Sequence, residues 1–258
     1  MEKKEFIDLL RATVGDYSRS FSDKDGHWVV KGFIDLYKNV YTISTDTKIV
    51  SKIIELYVFP KLLDFAVRYG LEIELTKEQN FYPDMTFKDN EGHLYAVDLK
   101  SSYRKDDGRV NGMTLGAFTG YFRNRSSHKN VTYPYGAYQA HIVLGVIYTP
   151  VLGIDERLCF PVEQLEGITS VAKDFILFVQ EKWKIATDRP GSGNTKNIGS
   201  VNQIGALLNG EGPFAVLGEE VFDDYWMHYL TKDMAQAAEL QAPYYTNLAE
   251  YKIFKHLK

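Results

Sequence analysis

A chain of 258 residues, 45% hydrophobic and 25% charged, can bury a sizeable core without staples, which excludes a disordered or fibrous polymer. The longest apolar run, Ile142–Tyr148, is too short to span a bilayer, and the charged start Met1-Glu-Lys-Lys-Glu5 has no signal-peptide core behind it, so the expected address is the cytoplasm. A net charge of −4 argues against a uniformly basic nucleic-acid binder, and a lone cysteine, Cys159, excludes an internal disulfide and a multi-cysteine zinc site.

In chain order, Lys3–Arg11 reads as a short amphipathic helix, and His27–Leu36 as a strand after a turn at Ser22–Gly26. Asp46 is placed to cap a helix through Ile49, Val50, Ile53, Leu56 and Tyr57, with Pro60 kinking or restarting it and Gly70 near its end. Leu71–Leu75 is a strand. Asp84–Lys88 and Leu94–Leu99, joined by Asp89-Asn-Glu-Gly92, read as an antiparallel hairpin. Thr114–Arg123 is expected to be helical, Ile142–Tyr148 a strand buried on both faces, Phe175–Val179 a further strand, and Arg189–Ser200 a Gly/Ser/Asn-rich loop. Val221–Leu230 and Leu248–Leu257 close the chain as helices, and Cys159, between Leu158 and Phe160, is expected to be a buried thiol. The pattern predicts one α/β (α+β) domain over residues 1–258, a mixed central sheet flanked by helices.

The sharpest chemical signal is Pro83-Asp84 followed by Asp98-Leu99-Lys100. Asp98 and Lys100 are two apart on a strand and share a face, while Asp84 opens the partner strand, so the hairpin brings the carboxylates together. Two crowded carboxylates are tolerable around a hard divalent cation, and a neighbouring lysine can place a water for phosphodiester hydrolysis. The plain alternative is a solvated strand edge. Glu55, within the long helix, lies either on its wet stripe or toward a site.

Charge is distributed to suit a polyanion in two places. Lys100–Lys129 holds seven basic and two acidic residues, and Lys182–Lys196 four and one, against one and seven in Glu211–Glu239. Thr114, Thr119, Arg123, Asn124, Arg125 and Lys129 suit phosphate contacts, or form a solvated face. Gly191-Ser-Gly-Asn-Thr-Lys-Asn197 carries amides able to read adenine edges, or is a mobile surface loop, and lacks the ending of a P-loop. The polar turn Glu78-Gln-Asn-Phe81 can touch a substrate beside the acidic pair or be a turn alone. The six histidines show no ligand spacing, and no nucleophile elbow is present.

Taken together these blocks resemble type II restriction endonucleases of the PD-(D/E)xK superfamily, the EcoRV branch above all. Ser44–Lys48 with Glu55-Leu56, Gln79–Asp84, Asp98–Tyr103, Thr114–Thr119 with Arg123-Asn124, and Gly191–Ser200 occur in that family's order. The resemblance implies the restriction-endonuclease-like fold and a homodimer cutting both strands of a DNA palindrome, with 20–45 and 140–165 contributing to dimerisation. It implies Mg²⁺, replaceable by Mn²⁺, held by Asp84, Asp98 and Glu55, with Lys100 placing the water. Gln79 and Asn80 would lie near the minor groove. Gly191, Ser192, Gly193, Asn194, Thr195, Lys196 and Asn197, in a recognition loop at 187–200, would lie in the major groove. Ser101, Thr114, Thr119 and Arg123 would contact the backbone. GATATC cut to blunt ends is the implied target, and a cognate methyltransferase the implied partner. Phe81, Gly120 and Lys196 depart from the family pattern, where a histidine, a serine and a threonine are expected. A non-cleaving DNA-binding dimer and a PD-(D/E)xK repair nuclease are the alternatives.

Overall fold

The computed structural model describes residues 1–78, 80–106, 108–191 and 196–257. Helix α1 spans Lys3–Phe21, longer than the expected Lys3–Arg11, because Phe6, Ile7, Leu10, Val14 and Phe21 continue one buried stripe. The expected strand at His27–Leu36 is broken. Trp28 is buried and bridges Ser22, and only Gly32–Ile34 forms β1, which turns at Asp35 into β2, Asn39–Thr42. The Asp35 carboxylate forms that turn by accepting from the amides of Tyr37 and Asn39.

Helix α2, Thr47–Tyr69, is capped by Asp46, which accepts from the amides of Lys48 and Ile49, and ends at Gly70 in the left-handed region. Pro60 does not divide it. Pro60 is exposed, so the Leu56 carbonyl it cannot bond can be met by water.

The central sheet is built from β3 (Glu72–Leu75), β4 (Met85–Lys88), β5 (Leu94–Tyr103), β7 (Tyr138–Pro150) and β9 (Ala172–Glu181), in the order β3-β4-β5-β7-β9. Between β5 and β7 lies β6, Thr114–Ala117. The β3-β4-β5 meander is antiparallel, β5–β7 parallel and β7–β9 antiparallel. Ile142, Leu144, Val146 and Tyr148 of β7 face a core made with α1 and α2, while Val143 and Ile147 face a second core. The expectation of a strand buried on both sides is borne out. Gly145 is required there, since a Cβ would lie 2.1 Å from the Phe178 ring.

Thr114–Arg123 is not a helix. β6 is followed by a 3₁₀ turn at Gly120–Phe122, and Gly116 at φ +93° breaks any helical run. β6 pairs with β11 (Asn197–Ser200), which pairs with β10 (Ala186–Pro190), so strands occupy both flanks of the expected loop at 187–200. One turn of helix, α3 (Lys182–Ile185), links β9 to β10. The second core is closed by α4 (Ile204–Asn209), α5 (Glu219–His228), α6 (Lys232–Ala237) and α7 (Leu248–Phe254) and is rich in aromatic rings.

Strand β8, Cys159–Pro161, pairs with β2, making a small sheet β1-β2-β8. Cys159 is exposed rather than buried, because β8 is an edge strand of this sheet and not part of the main core. Phe33, Ile34, Leu36, Tyr37 and Tyr41 are exposed nearby. Ala140–Tyr148 is buried in the centre of the main sheet. Among the described residues no helix is long and apolar enough to cross a membrane.

Candidate active site

The β4–β5 hairpin does what its spacing predicts. The register pairs Met85 with Val97, which sets Asp84, just before β4, opposite Asp98. The Asp84 amide donates to Asp98 Oδ1 at 3.2 Å, and the Leu99 amide donates to Asp84 Oδ2 at 2.8 Å. Lys100 reaches back along the same face, with Nζ 2.8 Å from Asp98 Oδ2 and 3.6 Å from Asp84 Oδ2. Asp84, Asp98 and Lys100 therefore form one cluster.

Its electrostatics are those of a site short of positive charge. Burial, and then repulsion from Asp98, push the Asp84 carboxyl up to about 6 against the pull of Lys100. Burial disfavours the Lys100 ammonium, but Asp98 and Asp84 more than compensate and hold it above its ordinary value. The Asp98 side chain is 9% exposed and that of Asp84 39%, so one carboxylate is anchored and the other opens to a cleft. That cleft, of about 570 Å³, is bordered by Glu55, Lys52 and Ser51 of α2 and by Asp84, Lys100 and Ser101. The donor set is hard oxygen, and an ammonium now bridges the two carboxylates. Both facts fit a divalent cation of the magnesium type.

Glu55 is resolved between its two readings in an intermediate way. It is half-buried and paired to Lys52 at 2.6 Å, yet it lines the cleft, and its charge adds to the upward push on Asp84. Ser101 shares a hydrogen bond of 2.6 Å with Ser51 across the same cleft. Lys48, part of the Ser44–Lys48 block, and Lys52, which the sequence did not single out, also border it. Their spacing on one face of α2 was the available signal.

The remaining site residues lie elsewhere. Thr114 and Gly191 line a second groove, of about 820 Å³, with Lys105, Asn111, Arg189 and Gln203. The Gly191 amide donates to the Asn197 carbonyl, and a Cβ on Gly191 would meet the Gly199 Cα at 3.2 Å, so the two strands need glycine to approach. Asn197 begins β11, and the exposed Lys196 accepts at its carbonyl from the Phe118 amide. Thr119 lines a separate pocket with Asn124 and Lys129. Asn80 is exposed in the turn before Asp84. Arg123 is turned inward, its guanidinium over the Phe118 ring and donating to the Tyr229 carbonyl. Gln79, Ser192, Gly193, Asn194 and Thr195 lie outside the described residues.

A further group, Asp89, Glu91 and His93, gathers at the turn end of the hairpin, with ligand atoms all within 4.8 Å of one another. In sequence the segment reads as a turn, and the alternation of the three residues is the signal for their grouping.

Comparison with known proteins accords with this geometry. The family model described as restriction endonuclease EcoRV matches residues 24–256. The type II restriction enzyme EcoRV of Escherichia coli is 34% identical over 241 residues, covering 92% of this chain and 95% of that protein. A solved bacterial homing endonuclease, I-Ssp6803I, overlaps 51% of this chain and 75% of its own at 18% identity, with a TM-score of 0.22. That overlap is too slight to bear on the fold. With a family match across nearly the whole chain and a carboxylate–carboxylate–lysine cluster in an open cleft, the chain belongs to the EcoRV family of type II restriction endonucleases.

Proposed function

We propose that this nuclease is a homodimer that uses Mg²⁺, with Mn²⁺ as a substitute, to hydrolyse both strands of duplex DNA at a short palindrome. GATATC cut to blunt ends is the target we infer from the family resemblance. The observation that carries the reading is the clustering of Asp84, Asp98 and Lys100, with Asp84 and Lys100 lining one cleft.

Asp84 and Asp98 would hold the cation, with Glu55 as an auxiliary carboxylate. A divalent cation bound there supplies positive charge at the scissile phosphate and makes water more acidic. Lys100, kept as an ammonium by its two carboxylates, orients the attacking water and a phosphate oxygen by donating hydrogen bonds. In-line attack forms a new bond from the water oxygen to phosphorus. The bond to the 3′ oxygen breaks, leaving a 5′-phosphate and a 3′-hydroxyl.

Specificity is assigned to the Gly191–Asn197 segment, framed by β10 and β11, in the major groove and to Gln79 and Asn80 near the minor groove. Ser101, Thr114 and Thr119 are assigned to the DNA backbone. Lys196 adds a cation where the family pattern has a hydroxyl, which favours a phosphate contact. The exposed apolar residues of β1-β2-β8 support that sheet as the dimer surface, and two-fold symmetry suits a palindrome. We place the enzyme in the cytoplasm beside its DNA, with a methyltransferase protecting the same sequence.

Digestion of a plasmid of known sequence, with and without Mg²⁺, followed by end mapping, tests this reading. Discrete fragments with blunt 5′-phosphorylated ends at GATATC are expected only with the metal. A smear, or fragments without added divalent ion, would overturn it.

A further inference from the structure

Lys182 is a buried amine with no hydrogen-bond or ion-pair partner among the described residues, and burial pulls its pKa down to about 8 against the attraction of Asp98 and Asp223. It is 2% exposed, and its Nζ makes no hydrogen bond among the described residues. Burying an ammonium is costly, and a methionine would fill the same space without that cost. What surrounds the charge is aromatic. Nζ stands 5.2 Å from the ring centre of Tyr82, 5.3 Å from that of Tyr135 and 5.4 Å from that of Phe122. These are cation–π distances, and the attraction is strongest away from water. The cage is held from behind, since Tyr82 Oη shares a hydrogen bond of 2.8 Å with His141 Nδ1, and His141 stacks on Tyr135 at 3.7 Å.

The rings come from segments that the proposed reaction must hold in register. Tyr82 is two residues before Asp84. Phe122 ends the 3₁₀ turn that follows β6, and β6 pairs with β11 at the far side of the Gly191–Asn197 segment. Tyr135 leads into β7. Lys182 itself opens α3, which feeds directly into β10 and so into that same segment.

We infer that Lys182 is a positioning residue whose caged ammonium fixes the Tyr82–Asp84 segment against the framework of the recognition segment, so that seating on the correct DNA sequence sets the place of Asp84. This rests on the assignment of Asp84 to the cation site. Displacements of about an ångström at a reacting centre cost one to two orders of magnitude in rate, which sets the size of the expected effect.

The test compares Lys182→Met and Lys182→Arg with the wild-type dimer. Single-turnover cleavage of a GATATC duplex is measured at saturating protein and Mg²⁺, and duplex affinity is measured without metal. For Lys182→Met the rate constant is expected to fall about tenfold or more while affinity changes less than about threefold and Tm is not lowered. Lys182→Arg, whose guanidinium also stacks on rings, should recover most of the rate. Cleavage by Lys182→Met at the wild-type rate would overturn the inference, as would parallel losses of rate, affinity and Tm, the signature of a mere core residue. Should Lys182→Met fail to fold, Phe122→Leu, which removes one wall and keeps the charge, decides instead. A rate about threefold lower at unchanged affinity supports the cage, and an unchanged rate refutes it. A wild-type protein that leaves the duplex intact, or an Asp98→Ala variant that cuts it, sinks the active-site assignment and this inference together. An active wild type matched by Lys182→Met sinks the inference alone.

Discussion

The β4–β5 hairpin carries a carboxylate cluster at each end, and the two are neutralised in different ways. At the turn, Asp89 Oδ1 accepts from the amides of Glu91 and His93, while Oδ2 meets the Met1 amine at 2.5 Å and His93 Nδ1 at 2.9 Å. Burial works against its charge, but the amine, the histidine and the turn amides hold its carboxyl far below the ordinary value. At the open end, Asp84 and Asp98 share one ammonium, and Asp84 is pushed up. The turn cluster could geometrically gather a metal, yet its positive charge is already in place. The open-end pair is left charge-deficient at the mouth of a cleft. The lesson is that a count of acidic ligands does not locate a cation site, whereas uncompensated charge does.

Substitution at the two ends should separate them most strongly. Asp98→Ala, Asp84→Ala and Lys100→Ala are each expected to lower Mg²⁺-dependent cleavage by about a thousandfold or more with the protein still folded, as single-turnover rates and gel filtration would show. Asp89→Ala should leave the rate of folded enzyme unchanged and lose about 1–3 kcal/mol of stability in urea, because the Met1 amine, the Tyr95 hydroxyl and the part-buried turn amides lose their acceptor. Comparable catalytic losses at both ends would erase the contrast.

Acid titration comes next in size. Below about 6 Asp84 is protonated and cannot serve as a ligand, so cleavage at low Mg²⁺ should rise with pH through that region. More Mg²⁺ should move the midpoint to lower pH, since metal and proton compete for the same oxygens. A midpoint indifferent to Mg²⁺ would detach Asp84 from the cation.

The smallest effect is thermal. The raised pKa of Asp84 means that its ionised form costs stability, a cost absent below the ordinary carboxylate pKa and fully present above about 6. Asp84→Asn should therefore raise Tm by about 1–2 °C at pH 7.5 without divalent ions, a modest gain because the side chain is 39% exposed and screened. A drop in Tm would show that the Leu99 amide bond to Asp84 outweighs the repulsion.

The hairpin and its three charged residues were legible in the sequence because they are local: a turn-former cluster fixes the register, and a period of two fixes the face. β7 was legible because its apolar run needs no partner to be recognised. What was not legible depended on distant chain. Thr114–Ala117 is a strand only because β11 lies beside it, and two glycines, Gly116 and Gly120, both at positive φ, were the local hints against a helix. Cys159 looked buried from its apolar neighbours, yet the edge on which it sits is defined by β2. Glu55 could not be placed, since its helix period cannot say which face meets the cleft. The aromatic cage of Lys182 joins residues too far apart in sequence to be seen as a unit.

The parallel pairing of β5 with β7 also sets an order of assembly during synthesis. Asp98 lies beside Val143, and Lys100 beside Gly145, so the strand that bears them is sealed only after Tyr138–Pro150 has left the ribosome. Strands β10 and β11 emerge later still. A half-made chain thus holds its acidic pair on an unfinished sheet, with the neighbour that buries β5 still to come.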